Sequence, residues 1–161
     1  MTLVGPTKAF NLAGLKIGFA IAPNEAVRER FQRVLLGLAG PGPSVTQFAA
    51  AAAWREADPW LEETLAYLKA NRTFVLDSVR DRLPGVRMHR PEATYLAWLD
   101  FRATPLAHDP AAALLERGRL ALNPGPTFGE AGHGFARLNF ATSRAIVDEA
   151  LDRIARVLAE G

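Results

Sequence analysis

The sequence predicts an α/β fold whose second half has α+β character, and three patterns support this. Two short apolar runs without alternation, residues 1–4 and 17–22, are typical of interior strands in a parallel sheet. Residues 24–82 carry apolar side chains at helical spacing, and after Gly85 strand and helix patterns alternate over short distances. A parallel sheet needs more strands and helices than these, so we expect the chain to be the later part of a longer fold.

Two consecutive helices are predicted after the second apolar run. Asn24 has the side chain of an N-cap, and apolar spacing continues from it to Leu38. Residues 40–43, Gly-Pro-Gly-Pro, are expected to end that helix. Ser44 and Gln47 fit a capping box, which predicts the start of the next helix.

A third helix, of about 25 residues, is predicted next. Asp58 followed by Pro59 combines an N-cap with a proline where a missing N–H costs nothing. Pro84 and Gly85 end the pattern. At a rise of 1.5 Å per residue this helix would be about 37 Å long, enough to bridge two domains.

The remaining residues predict a small set of strands with two further helices. Aromatic residues such as Tyr95 and Trp98 are expected in the core, because aromatics in strands are more often buried than functional. In chain order the predicted elements are strands at 86–89 and 94–102, a helix after Asp109, a strand at 120–122, a loop at 123–134, a strand at 135–141 and a last helix capped by Ser143 or Thr142.

Composition excludes several classes of function. Of the 161 residues, 49% are apolar and 22% charged, as in soluble globular proteins. The net charge of +2 is too small to indicate nucleic acid or an anionic membrane as a partner. The absence of cysteine excludes disulfides, thiolate metal sites and cysteine nucleophiles. The three histidines fit no zinc spacing, so no metal site is predicted.

No segment has the pattern of a membrane span or a secretion signal. The longest apolar run, residues 48–54, is far shorter than the roughly 20 residues that cross a bilayer. No charged start followed by an apolar stretch opens the sequence. We therefore expect a cytoplasmic protein.

Two residues stand where chemistry is expected. Lys8 lies in a turn between the two strand candidates, and its amine could form a Schiff base if desolvation or a neighbouring charge such as Lys16 removed its proton. Arg137 shares the polar face of an alternating strand with Asn139. The residues alone do not distinguish these roles from the alternative that Lys8 and Arg137 are solvated surface side chains. The glycines of residues 125–134 match no phosphate-binding loop and are interpreted as turns.

Four segments together resemble one enzyme family. Residues 7–18, with the pattern Thr-Lys-x-x-Asn-x-x-Gly-Leu-Lys-x-Gly, resemble the lysine motif of fold-type I pyridoxal-phosphate enzymes, the class I/II aminotransferases. Residues 91–101 resemble a small-domain strand of the carbon–sulfur lyase branch, the cystathionine β-lyase-like proteins. Residues 123–129 and 134–141 resemble the carboxylate-binding segment of that branch. The resemblance covers essentially the whole chain, in the expected order.

The resemblance implies a role for four residues. Lys8 would form a Schiff base with pyridoxal 5'-phosphate and would move the proton of the substrate's α-carbon. Lys16 would contact the cofactor phosphate, toward which Thr7 keeps a hydroxyl at a position where the family usually has serine. Arg137 would bind the α-carboxylate of an amino-acid substrate, for which a planar, two-pronged donor is suited.

The resemblance also implies how the chain is organised. Residues 1–82 would be the C-terminal remnant of the large cofactor-binding domain with the bridging helix, and residues 83–161 the small domain, an antiparallel sheet covered by helices. The parent enzyme would perform transamination or β-elimination of a cysteine-type thioether, as a homodimer or larger assembly. The chain alone would be inactive. The alternative is a non-catalytic small-domain module that folds and self-associates without cofactor.

Overall fold

The computed structural model describes residues 1–38 and 43–160, which form helices, short strands and three short 3-10 turns. The helices are Glu25–Leu38 (α1), Ser44–Glu56 (α2), Asp58–Arg82 (α3), Pro110–Gly118 (α4) and Arg144–Ala159 (α5). The strands are Thr2–Val4 (β1), Phe19–Ile21 (β2), Arg87–Met88 (β3), Leu96–Asp100 (β4), Asn123–Pro124 (β5) and Phe135–Asn139 (β6). The 3-10 turns are Ala13–Leu15, Gly125–Phe128 and Glu130–Gly132.

The chain divides into two compact units, Met1–Leu65 (the first unit) and the residues from Ala66 onward (the second unit), and the division falls within α3. The 25 residues of α3 confirm the predicted long helix. The predicted domain boundary after residue 82 stays a prediction.

In the first unit, β1 and β2 pair with each other in antiparallel orientation, with Thr2 opposite Ile21 and Val4 opposite Phe19. The prediction that these two runs are strands is confirmed, but the parallel arrangement inferred for them is wrong for this pair. Residues 5–18 contain turns and no crossover helix, and strands joined by such a connection return antiparallel.

Of the predicted N-terminal caps in the first unit, the one at Asn24 is present and the one at Ser44 is absent. The Val27 amide donates to Asn24 Oδ1 (3.1 Å), which confirms that cap. The expected capping box at α2 is wrong, because Ser44 already lies inside the helix and the cap position is Pro43, whose side chain offers no acceptor. The predicted helix stop at residues 40–43 lies mostly outside the described residues.

The second unit is built on a four-stranded antiparallel sheet in the order β3-β4-β6-β5. Helix α4 begins at a cap in which Asp109 Oδ1 accepts from the Ala112 amide (3.0 Å), and α5 at one in which Ser143 Oγ accepts from the Ile146 amide (3.4 Å). Apolar side chains of the sheet and of three helices form one core, to which the main contributors are Val75, Val79, Leu83, Leu99, Phe101, Leu114, Leu138, Phe140, Leu151 and Ile154.

The predicted strand at residues 120–122 is wrong. Arg119 adopts a left-handed conformation (φ +49°) at the end of α4, and the Leu120 amide donates to the Leu114 carbonyl (3.0 Å). The backbone that was expected to join the sheet therefore completes the helix end instead. The strand that pairs with β6 at this edge of the sheet is β5, which lies inside the segment that was predicted to be all loop.

No helix within residues 1–38 and 43–160 is both long and apolar enough to cross a bilayer. Across the same part of the chain, acidic and histidine side chains form no cluster that could hold a metal ion.

Candidate functional site

Lys8 lies in a single turn at the start of the connection between β1 and β2. The turn is closed by the Leu12 amide, which donates to the Thr7 carbonyl five residues earlier (2.9 Å), as at a Schellman helix end. Asn11, just before this donor, has φ +54°, a left-handed conformation that asparagine tolerates better than most residues. Pro6 begins the turn and is buried. The shape of the turn is thus set by residues around Lys8, whose side chain is exposed.

Two further polar side chains lie on the same connection. The hydroxyl-bearing Thr7 is half-buried, and Lys16 is exposed. Lys16 ends the 3-10 turn Ala13–Leu15 with φ +49°. The connection therefore carries two ammonium groups and one hydroxyl on a short stretch of defined backbone.

Arg137 lies in the centre of the sheet of the second unit, on the face opposite the core. Its neighbours across the strands are Trp98 on β4 and Asn123 on β5. The Arg137 NH2 group donates to Asn123 Oδ1 (3.1 Å). The Cζ atom lies 4.5 Å from the centroid of the Phe128 ring, within the range of a cation–π contact.

The Nε atom of Arg137 is buried and has no hydrogen-bond partner among the described residues. Buried N–H groups without a partner are uncommon in proteins. The side chain as a whole is only half-buried, so the far end of the guanidinium is the part that solvent or a ligand can reach.

The face around Arg137 is lined with stacked aromatic rings. Trp98 stacks on Phe135 (5.4 Å between centroids, 17° between planes) and meets Phe128 edge to face (5.5 Å, 83°). The prediction of Trp98 as a core residue is wrong: Ala97 and Leu99 face the core, and the alternation of β4 places Trp98 on the other side. Tyr95, in contrast, packs against the core.

The far end of this aromatic row is closed by an ion pair. The Arg102 guanidinium lies over the Phe135 ring at 4.7 Å and donates two hydrogen bonds to the Asp100 carboxylate (both 2.9 Å). These hydrogen bonds from Arg102 hold the pKa of Asp100 below its usual value. Arg102 is paired with Asp100. Among the described residues, Arg137 is therefore the arginine of this face whose buried Nε has no hydrogen-bond partner.

The four predicted site residues fall into two groups. Thr7, Lys8 and Lys16 lie together on one connection of the first unit, and Arg137 lies on β6 of the second. These placements agree with the predicted turn and strand, and the roles of the four residues stay predictions. Asn123 and Phe128 lie in the segment of residues 123–129 that resembles the carboxylate-binding segment of the family, but the sequence assigned neither residue a role of its own.

Comparison with known proteins identifies the family. The family described as aminotransferase class I and II matches residues 1–154. The chain is 38% identical over 162 residues to a cystathionine beta-lyase of Corynebacterium glutamicum, with 98% of the chain and 42% of the relative covered. It is 35% identical over 161 residues to cystathionine beta-lyase PatB of Bacillus subtilis, with 98% and 41% covered.

A solved structure gives the same result for the fold. The crystal structure of cystalysin from Treponema denticola, which contains pyridoxal 5'-phosphate, matches with a TM-score of 0.91 and 28% identity over 98% of the chain and 41% of the cystalysin chain. The fold is therefore that of part of a fold-type I pyridoxal-phosphate enzyme, as predicted. The chain belongs to the class I and II aminotransferase family. It spans about two fifths of the length of these relatives.

The residues present fit pyridoxal phosphate, the cofactor of this family. A carbonyl group on the cofactor needs an accessible amine, and the Lys8 side chain is exposed on a turn that other residues hold in shape. A phosphate ester needs cationic and hydroxyl donors, and Lys16 and Thr7 carry such groups on the same connection.

Proposed function

We propose that this chain supplies the cofactor-bonding lysine and the carboxylate-binding arginine of a larger pyridoxal-phosphate enzyme that acts on amino acids, called the parent enzyme below. The observation that carries the proposal is the exposed Lys8 side chain on a turn fixed by Pro6 and Asn11. Bound pyridoxal phosphate would supply a carbonyl carbon that reacts with amines and a conjugated ring that withdraws electrons from the substrate's α-carbon. We expect the parent enzyme in the cytoplasm, as the sequence predicts.

Each of the four residues has a separate task in this proposal. Lys8 Nζ would bond the carbonyl carbon of the cofactor, and the same nitrogen, when free, would accept the proton of the substrate's α-carbon. Lys16 and Thr7 hold the phosphate through a charge and a hydroxyl. Arg137 holds the α-carboxylate and thereby orients the amino acid. Its contribution to catalysis is to position the substrate.

Of the two reactions, we favour β-elimination at a carbon–sulfur bond over transamination. The relatives that are 35% and 38% identical are both named cystathionine beta-lyases. The two reactions are separated by one assay of the parent enzyme with a cysteine-type thioether. Thiol release without an added keto acid supports elimination, whereas turnover that requires an added keto acid supports transamination.

The role of Lys8 is tested by the visible absorbance of the parent enzyme after addition of pyridoxal phosphate. We expect the absorbance band of lysine-bonded cofactor in the wild type and in Lys69→Ala, a matched change at an exposed lysine outside the site. We expect Lys8→Ala to lack this band and to have no turnover, because one amine performs both bonding and proton transfer. An unchanged band in Lys8→Ala would contradict the proposal.

A second candidate, a non-catalytic module that self-associates, is favoured by the surface of the first unit. Its large apolar side chains include several that are more than half exposed, among them Leu3, Ile21, Leu36 and Phe48. Light scattering on the purified chain tests association: we expect dimers or larger species, because exposed apolar faces and strand edges pair with further copies. A monomer whose first 23 residues resist protease would contradict this expectation. A cofactor band in the chain alone would argue against the non-catalytic module.

A further inference from the structure

Two residues to which the sequence assigned no individual role, Asn123 and Phe128, contact the guanidinium of Arg137. We propose that Asn123 and Phe128 are positioning residues, which fix the Arg137 guanidinium so that it binds a substrate carboxylate end-on. The inference rests on the proposed function of Arg137. Neither positioning residue needs to touch the substrate.

The two contacts restrict different motions of one planar group. The Phe128 ring lies 4.5 Å from Cζ, and a cation over a ring face is held against displacement away from it. The Asn123 side-chain oxygen accepts from NH2 at 3.1 Å, which resists rotation of the guanidinium within its own plane. With both restrictions present, the group keeps one orientation, and less conformational entropy is lost when a ligand binds.

The buried Nε atom decides which edge of Arg137 is available. A carboxylate can meet a guanidinium either along the edge that includes Nε or at the end formed by the two terminal nitrogens. The first edge is closed here, because Nε is buried. NH2 carries two hydrogens, so a hydrogen bond to Asn123 leaves one for a ligand beside those of NH1. The geometry points to end-on binding.

The loop that carries Phe128 has a backbone suited to holding the ring in place. Gly125 and Gly132 approach so closely that a Cβ on either would collide with the carbonyl of the other. Thr127 Oγ1, in the 3-10 turn Gly125–Phe128, donates to the carbonyl of Pro124, the residue just before that turn (2.6 Å). The glycines of this loop therefore permit a close backbone contact between its two turns, in addition to reversing the chain.

Phe128 contributes little to the core, so burial of apolar surface does not explain its position. Its side chain is 51% exposed, and its ring makes an edge-to-face contact with Trp98 and a cation–π contact with Arg137. Trp98 backs the ring from the sheet and is itself stacked on Phe135. A half-exposed ring held between a cation and an aromatic neighbour is suited to orienting the cation.

The test compares ring-removing and ring-keeping variants of the parent enzyme. We measure KM and kcat for an amino-acid substrate, and the dissociation constants of that amino acid and of the corresponding amine without the carboxylate. For Phe128→Leu we expect about two- to fivefold weaker binding of the amino acid, the size of an exposed cation–π contact, with no change for the amine. Phe128→Tyr keeps the ring face and should bind as the wild type does. The matched control is Phe74→Leu, which removes a ring lying 4.4 Å from another guanidinium, that of Arg144.

A second readout does not depend on cofactor or turnover. In 15N-arginine-labelled protein, Arg137→Lys identifies the Nε–H signal of Arg137. We expect an order parameter in the rigid range for the wild type and Phe128→Tyr, and a lower one for Phe128→Leu and Asn123→Ala. An unchanged order parameter in both of the latter variants, or equal losses for amino acid and amine, would overturn the inference. If Arg137→Lys binds amino acids normally, the proposed function of Arg137 fails instead, and the order parameters still decide whether its guanidinium is positioned.

Discussion

The two units of the molecule hold similar kinds of secondary structure but bury them to different extents. In the described residues, all but three of the buried apolar side chains lie in the second unit, and none of the three exceptions, Pro6, Ala50 and Ala53, is a large aliphatic or aromatic residue. Helix α1 has apolar residues at helical spacing and yet buries none of its side chains. In contrast, α5 buries its stripe from Val147 to Val157.

The part of the chain with the larger apolar core is therefore not the part that carries the proposed reactive lysine. The second unit has a core large enough to define its own structure, and it carries the arginine expected to recognise substrate. The first unit carries the lysine expected to react, on a locally defined turn whose surroundings bury little apolar surface. We infer that the second unit withstands isolation better than the first, since apolar burial is the main source of folding free energy.

The largest effect on stability is expected at Asn71, a fully buried residue of α3 in the second unit. Its Nδ2 group donates to the carbonyls of Phe140 (3.0 Å) and Thr142 (2.9 Å), and its Oδ1 accepts from Arg144 Nε (2.8 Å). Asn71→Ala leaves these groups without their partner and should lower the free energy of unfolding by about 2–4 kcal/mol. Urea unfolding followed by circular dichroism measures it.

Two threonines provide the controls for that prediction. Thr73→Ala changes an exposed hydroxyl on the same helix and should alter stability by less than about 0.5 kcal/mol. Thr46→Ala removes one hydrogen bond from a buried residue of the first unit, where we expect a loss of about 1 kcal/mol. If Thr46→Ala destabilised the chain as strongly as Asn71→Ala, the contrast between the units would be wrong.

A smaller effect, on binding, is expected from Arg137→Lys in the parent enzyme. A single ammonium replaces a two-pronged guanidinium, so amino-acid binding should weaken by about 1.5–3 kcal/mol, or roughly one to two powers of ten. The cofactor band should not change, because the substitution leaves Lys8, the residue proposed to bond the cofactor, in place. Spectroscopic titration measures both. Binding as tight as that of the wild type would reduce Arg137 to a strand residue without a recognition role.

Most features fixed by neighbouring residues were predictable from the sequence, but two were not: the capping box at Ser44 is absent, and Asp58 is the first residue of α3 rather than the N-cap before it. The caps at Asn24, Asp109 and Ser143 depend on side chains within three residues of the amides they accept from, and each is present in the structure. The turn between β1 and β2 was predicted for the same reason, since proline and asparagine specify it locally.

Features that depend on distant partners were not predictable in the same way. The apolar runs of β1 and β2 indicated burial but not orientation, which depends on what the connection can span. Trp98 was assigned to the core because alternation does not reveal which face of a strand is covered. The contact between Phe128 and Arg137 joins a loop to a strand, and no local pattern specifies it.

The central claim is that Lys8 is the residue that bonds pyridoxal phosphate, and peptide mapping tests it most directly. The parent enzyme is loaded with cofactor and reduced with borohydride, which makes the bond to the lysine permanent, and its peptides are then analysed by mass spectrometry. We expect a pyridoxyl group on Lys8 and none on Lys16 or Lys69. A pyridoxyl group on Lys69 with none on Lys8 would contradict it.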